Sequence, residues 1–310
     1  MSDALNEKKI YDWRDPFIFN EGKKTFLVTG GHLAREHQAA VNIYEAENPE
    51  LTKWKHRGVM FQHPDAGAPT VECPNFFKLG DQWVLFVSPY GKVQYFVGDF
   101  DAATCRFTPR SRGLLDYGSS FYAPNTMQVP DGRRLVWGWL NGFPGGHGWN
   151  GCLSVPRQLS LSRAGELRQT PAPQLSKLRG QAVAWKKIQL ENGSQTLPLP
   201  KTNTLEIAVE LELQTAKNVA LKFGGVDVSF NGTALNVLDA VAPLALAPGQ
   251  RILKLRFFID RSVLEVFAND TVCVTKIITP LPAGTTLELQ AGGGRATAKR
   301  IEAWPIKTIW

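Results

Sequence analysis

Three proline-headed segments recur in the first half of the chain, and they limit what it can fold into more than any other feature. They are Arg14-Asp-Pro-Phe-Ile-Phe-Asn-Glu-Gly, Glu72-Cys-Pro-Asn-Phe-Phe-Lys-Leu-Gly and Tyr122-Ala-Pro-Asn-Thr-Met-Gln-Val-Pro. Each joins an apolar run to a polar turn and a second apolar run. The prolines, Pro16, Pro74 and Pro124, stand 58 and 50 residues apart. A repeat of about 40–50 residues with four strands per unit is the signature of a β-propeller blade. Proline drives the residue before it towards an extended conformation. It also lacks an N–H, which suits the start of a strand. The expectation is an inner strand starting in the same register in each repeat, with its first residues at one mouth of a central channel. Asp15 and Glu72 would then converge there. A lone acid before a strand reads as a solvated turn; the shared register is what gives these two a functional reading.

Elsewhere the pattern is also that of strands. Leu205, Ile207, Val209, Leu211 and Leu213 alternate with Glu206, Ala208, Glu210 and Glu212, the period of a half-buried strand. The runs Leu253–Ile259 and Val263–Phe267 flank a turn at Asp260-Arg-Ser262 and read as a hairpin. Pro171, Pro173, Pro198 and Pro200 bracket a linker-like stretch containing Leu175, Leu178 and Trp185. From residue 204 to 304 the long alternating strands suit a two-sheet sandwich. The fold class is therefore all-β, with propeller blades over residues 1–178 and a β-sandwich over 179–310.

Composition narrows the function. At 310 residues with 20% charged and 43% hydrophobic side chains, the chain is neither disordered nor fibrous. It has no apolar run long enough to span a membrane. The formal charge of +7 is scattered and forms no basic stripe, so no nucleic-acid partner is expected. Cys73, Cys105, Cys152 and Cys273 make neither a C-x-x-C pair nor a zinc pattern, and no metal or other cofactor is expected. His32 and His37 have no acids at metal-ligand spacing. The start, Met1-Ser-Asp-Ala-Leu-Asn-Glu-Lys-Lys, has no apolar signal core, which points to a cytoplasmic protein. Gly146-His-Gly-Trp-Asn-Gly151 matches a dinucleotide-loop spacing, but a strand-like Leu153-Ser-Val-Pro follows it where that motif needs a helix.

The same segments resemble glycoside hydrolase family 32, the invertases, inulinases and levanases that cleave β-fructofuranosides. Arg14-Asp-Pro16 resembles the family's Arg-Asp-Pro motif and Glu72-Cys-Pro74 its Glu-Cys-Pro motif. Leu115-Asp-Tyr-Gly-Ser-Ser-Phe-Tyr-Ala-Pro124 resembles its Asp-Tyr-Gly segment. Gly148-Trp-Asn-Gly-Cys-Leu-Ser-Val-Pro-Arg157 resembles the segment closing its last blade. Ile259-Asp-Arg-Ser-Val-Leu-Glu-Val-Phe267 resembles the hallmark strand of its sandwich. The order of the motifs agrees along nearly the whole chain. The family's nucleophile motif, of Asn-Asp-Pro-Asn-Gly type, is not found in these 310 residues. The resemblance thus implies three of the family's five blades, followed by its sandwich.

By that resemblance Glu72 is the general acid/base, and Asp15 the carboxylate that holds fructose hydroxyls and stabilises the oxocarbenium-like transition state. Arg14 neighbours the acid/base and the sugar, and Asp116 lines the leaving-group side. Raising the Glu72 pKa by burial beside Phe76 and Phe77, against the pull of Arg14, is the tuning the role needs. Asp116 also reads as a plain turn residue ahead of Gly118. Asp65 is a loop carboxylate outside the strand-start register and a weak nucleophile candidate. Of Trp13, Trp137, Trp139 and Trp149, one or two would stack on a sugar ring. The implied substrate is a fructose-containing oligosaccharide or polysaccharide such as sucrose, inulin or levan. Three blades leave open sheet edges, which leaves three alternatives: a fragment of a longer enzyme, a partner chain supplying the missing blades and nucleophile, or two copies joined edge to edge to complete the propeller. The alternative is a non-catalytic carbohydrate-binding or scaffold protein on the same fold.

Overall fold

The computed structural model describes residues 10–33, 38–247 and 249–309, and His37 lies outside them. Within these residues every regular element is a strand except one 3-10 helix, Pro173–Leu178. Strands β1 (Ile10–Glu21), β2 (Lys24–Leu33), β3 (Gln38–Ala46) and β4 (Trp54–Gln62) form an antiparallel sheet in chain order. Strands β5 (Glu72–Leu79), β6 (Gln82–Ser88), β7 (Gln94–Asp101) and β8 (Arg106–Leu114) form a second of the same plan. A third contains β9 (Phe121–Gln128), β10 (Arg134–Leu140), β11 (Cys152–Leu153), β12 (Arg157–Leu161) and β13 (Leu167–Pro171). Its order is β11-β10-β12-β13, with β9 paired to β10. These are the blades that the repeat implies.

Alternation places Phe19, Phe26, Val28, Val41 and Ile43 of the first sheet in one core with Phe76, Trp83, Leu85 and Phe96 of the second. Phe76 stacks on Trp83 with ring centroids 4.7 Å apart. The first hairpin turns at Gly22 and the second at Gly80, with φ of 59° and 58°, values that glycine reaches without strain.

The expectation of an extended residue before each repeat proline is overturned. Asp15, Cys73 and Ala123 have φ of 54°, 48° and 44°. In all three strands the ladder slips at this point. Arg14 pairs with Gly30 and Phe17 with Val28; Glu72 pairs with Ser88 and Asn75 with Phe86; Tyr122 pairs with Trp139 and Asn125 with Trp137. Two residues thus face one, which is a β-bulge with its first residue left-handed. Proline's local preference against the right-handed region leaves this conformation open, and the bulge supplies the reason to adopt it. Bulges re-aim side chains and recur beside functional sites.

The chain packs as two compact units. One comprises Met1–Leu115, Phe121–Leu140 and Leu159–Leu167, and the other Asp116–Ser120, Asn141–Gln158 and Arg168–Trp310. The sequence draws a single boundary at residue 178; in the structure residues 168–178 and the segments Asp116–Ser120 and Asn141–Gln158 belong to the second unit.

In that unit, β14 (Val183–Pro198) pairs along its length with β23 (Thr286–Pro305). The proline-bracketed stretch is therefore largely strand rather than linker. Most of its residues are exposed, which hides the strand period. Between these two lie β15 (Thr204–Glu212), β16 (Asn218–Phe223), β17 (Val226–Phe230), β18 (Ala234–Val237), β19 (Ala240–Pro243), β20 (Ile252–Asp260), β21 (Val263–Ala268) and β22 (Val272–Ile277). The sheet order is β19-β18-β17-β16-β23-β15-β20-β21-β22, with β14 on β23. The two layers of the sandwich are thus joined through β23, which pairs with β16 before Gly293 and with β15 after it. Gly293 and Gly294, with φ of 70° and 145°, let the strand turn this corner. The Asn192 side chain accepts from the Gly294 N–H at 3.0 Å and fixes the same corner on β14. Leu205, Ile207, Val209 and Leu211 point into the core as the alternation requires.

Candidate active site

The bulges put one side chain from each sheet in an equivalent place, two residues before the proline: Arg14, Glu72 and Tyr122. These three meet. Arg14 Nη1 donates to Glu72 Oε1 at 2.6 Å, and the Tyr122 hydroxyl donates to Glu72 Oε2 at 2.8 Å. Each oxygen of Glu72 therefore has a donor from a different sheet. The carboxylate is half-buried, with 16% of its side chain exposed, against 38% for Arg14. Asp15, one residue on, accepts from the Cys73 N–H at 2.9 Å through Oδ2. This ties the residue beside Arg14 to the residue beside Glu72.

Asn75, buried below the bulge, holds the second and third sheets in register. Its amide donates to the Pro124 carbonyl at 3.0 Å, and its Oδ1 accepts from the Thr126 N–H at 2.9 Å. The Tyr90 N–H donates to the Tyr122 hydroxyl at 3.2 Å. The rings of Trp13, Tyr90 and Trp139 are exposed. Trp139 is the cross-strand partner of Tyr122, so both rings lie on one face of the sheet.

The electrostatics keep these partners in their donor forms. The hydrogen bond to Glu72 raises the Arg14 pKa above its ordinary value. Burial, then the bond to Glu72, pushes the Tyr122 hydroxyl well above the usual tyrosine value. Burial, then the charge of Asp15, pushes the Cys73 thiol to about 12. It is thus a neutral thiol, unsuited to nucleophilic work.

Phe76 and Phe77, expected beside Glu72, give their rings to the sheets instead, against Trp83 and Phe86 respectively. Asp65 pairs with Arg112 at 2.8 Å on an exposed surface, and that bond lowers its pKa. Among the described residues no cluster of three His, Cys, Asp or Glu is arranged to hold a metal ion.

Asp116 is the correction. Expected at the sugar, it is 1% exposed. Its Oδ1 accepts from the N–H groups of Gly118 and Thr275, at 2.8 and 2.9 Å. Its Oδ2 accepts from Arg157 Nη2 at 2.9 Å and from the Thr275 hydroxyl at 2.6 Å. Both oxygens are taken by protein donors, which leaves none for a sugar hydroxyl. Backbone closes tightly around it. A methyl group on Gly118 would lie 1.9 Å from the Thr275 carbonyl oxygen. Gly118→Ala is expected to cost roughly 1–3 kcal/mol, read as a lower urea midpoint. Gly67→Ala, with nothing within 4 Å of the added carbon, is the control and should leave the midpoint in place.

Residues 2–171 match the model of the glycosyl hydrolases family 32 N-terminal domain, more than half of the chain. The chain belongs to glycosyl hydrolase family 32. Residues 225–305 match the family's C-terminal model as well. A levanase of Bacillus subtilis (strain 168) is 29% identical over 96% of this chain and 51% of its own length. The sucrose-6-phosphate hydrolase of Vibrio alginolyticus is 30% identical over 85% of this chain and 58% of its own. The chain thus spans between half and three-fifths of these relatives. Among solved structures, fructan 1-exohydrolase IIa from Cichorium intybus superposes with a TM-score of 0.81 at 18% identity, covering 97% of this chain and 73% of that one. That likeness shows the fold, which in this family is a propeller followed by a sandwich. Tyr122 is the site residue that sequence reasoning missed. Its signal was the repeat itself: it occupies the Arg14 and Glu72 position of the third segment.

Proposed function

We propose that this chain carries the acid/base part of a β-fructofuranosidase site acting on fructose-containing saccharides. Glu72 is the general acid that protonates the leaving glycosidic oxygen, and afterwards the base that activates water. Arg14 and Tyr122 orient its two oxygens from either side. Asp15, exposed beside it, holds sugar hydroxyls and stabilises positive charge developing on the fructosyl ring. The exposed rings of Trp13, Tyr90 and Trp139 suit stacking on sugar C–H faces. A retaining reaction also needs a nucleophile about 5–5.5 Å from the acid. In this reading it comes from outside the three sheets, whether from further sequence, a second copy or a partner chain.

The single observation that carries the reading is the convergence of Arg14, Glu72 and Tyr122 from three repeats, with Asp15 anchored alongside. The test is release of fructose from sucrose and from levan by the purified protein, with its solution mass measured in parallel. Fructose release supports the reading. Sugar binding without turnover supports the alternative of a non-catalytic carbohydrate-binding protein.

A further inference from the structure

The second unit holds a cleft of 340 Å³ on the open face of its sheet. Strand pairing explains its position. β15 lies between β20 and β23, and cross-strand partners share a face. One row of partners reads Lys254, Glu210, Arg300, and the next Arg256, Ala208, Glu302. Ala208 therefore presents a methyl group amid long charged side chains, and a hollow forms above it. One end of the hollow is rigid. There Glu206 is fully buried and accepts from Arg179 at 2.7 and 2.6 Å and from the Arg256 Nε. The Arg179 guanidinium in turn lies 3.9 Å over the Trp304 ring. At the other end Lys254 and Glu210 stand opposite each other as cross-strand partners.

We propose that this cleft binds a neutral saccharide unit and serves as a second, non-catalytic carbohydrate site. Charge balance selects the ligand class. Lys254 is matched by Glu210 and Arg300 by Glu302, and Asp270 also lines the cleft; Arg179 and Arg256 both bond to Glu206, which is buried behind the lining. Four cations and three carboxylates line the cleft, and the buried Glu206 bonded to Arg179 and Arg256 offsets the fourth cation, which leaves no net field to capture an anion. The same groups offer alternating donors and acceptors, which suit vicinal hydroxyls. The Ala208 methyl gives the floor an apolar surface for a C–H face. The volume falls in the range of small-ligand sites, about 300–1,000 Å³. The choice of a fructose-based probe rests on the proposed function. For a polymeric substrate, a second contact on the same chain raises its effective concentration at the first.

The test is calorimetric titration of the full chain with a fructan trisaccharide, in a Glu72→Gln background that prevents turnover. Ala208→Leu fills the hollow from an outward-facing strand position and should remove one site's worth of bound sugar. Lys254→Ala, at an exposed position, should weaken that site at least threefold. Binding unchanged in both variants overturns the proposal. So does displacement of the sugar by inorganic phosphate, which would mark an anion site. Fructose release by the wild type is read separately. Its absence, with binding still lost in Ala208→Leu, overturns the proposed function and leaves the cleft standing. Release intact, with binding indifferent to both variants, does the reverse.

Discussion

Arg157→Leu is expected to leave the second unit unable to fold cooperatively near neutral pH. Arg157 is fully buried. Its Nη2 donates to Asp116 Oδ2 at 2.9 Å, Glu265 Oε2 at 2.8 Å and the Thr275 hydroxyl at 2.8 Å. The guanidinium also sits 5.3 Å from the Phe267 ring. One cation therefore serves two carboxylates, neither of which reaches water. Removing one partner of a buried pair costs about 3–5 kcal/mol, because the other charge is left uncompensated. Here two charges are left. Total stability of a domain is only about 5–15 kcal/mol. Leucine approximates the volume, so packing loss is the smaller part of the effect. Urea unfolding followed by circular dichroism should show a truncated or absent transition. A loss under about 1 kcal/mol, as exposed pairs give, would show that the cluster does not hold the unit together.

Acid should partly restore the variant, and this separates a charge effect from a packing effect. Burial raises the Glu265 pKa above its ordinary 4.5, and Arg157 opposes the rise. Without Arg157 the folded-state value climbs further. A group with a raised folded pKa contributes stability that is present below its unfolded value and lost as pH rises through the folded one. The Arg157→Leu deficit should therefore shrink as pH falls from about 7 towards about 5. A deficit constant across that range would assign it to packing.

This cluster also shows where sequence reasoning stops. Asp116, Arg157 and Glu265 come from the Asp-Tyr-Gly segment, the blade-closing segment and the sandwich strand, all of which the family resemblance picks out. A motif marks residues under constraint; it does not say whether a ligand or the protein's own interior imposes the constraint. An aspartate two residues before a glycine looks the same in either case. Glu206 is a parallel example. Its place in the alternating run Leu205–Leu213 marks it as solvent-facing, and it does point away from the core. Yet Arg179 and Arg256 close over it and bury it, because partners distant in sequence decide its exposure. The blades, by contrast, were legible because proline, hairpin glycine and period-two burial are local properties that repeat. The left-handed bulge was not, since it depends on pairing with a neighbouring strand. Glu72 was singled out because its register repeats, and Tyr122, which occupies the same register and meets it, was overlooked.

On the proposed function, Glu72→Gln carries the largest expected effect on chemistry. Glutamine keeps the side-chain length, and its carbonyl oxygen still accepts from Arg14. The Tyr122 hydroxyl, which lies 3.2 Å from the Ser88 carbonyl, turns its proton there and accepts from the new amide. The fold and the melting temperature should therefore hold. What disappears is the transferable proton. General acid–base catalysis contributes roughly 10²–10⁴-fold, so fructose release from sucrose should fall by about that factor. Sucrose affinity should change much less, since Asp15 and the exposed rings remain. Leaving-group dependence identifies the role. An aryl fructoside departs without protonation, so its bond cleavage should lose far less than that of sucrose. Equal losses on both substrates would make Glu72 a positioning residue. Full activity of Glu72→Gln on sucrose would remove it from the mechanism, and with it the reading of three repeats aimed at one carboxylate.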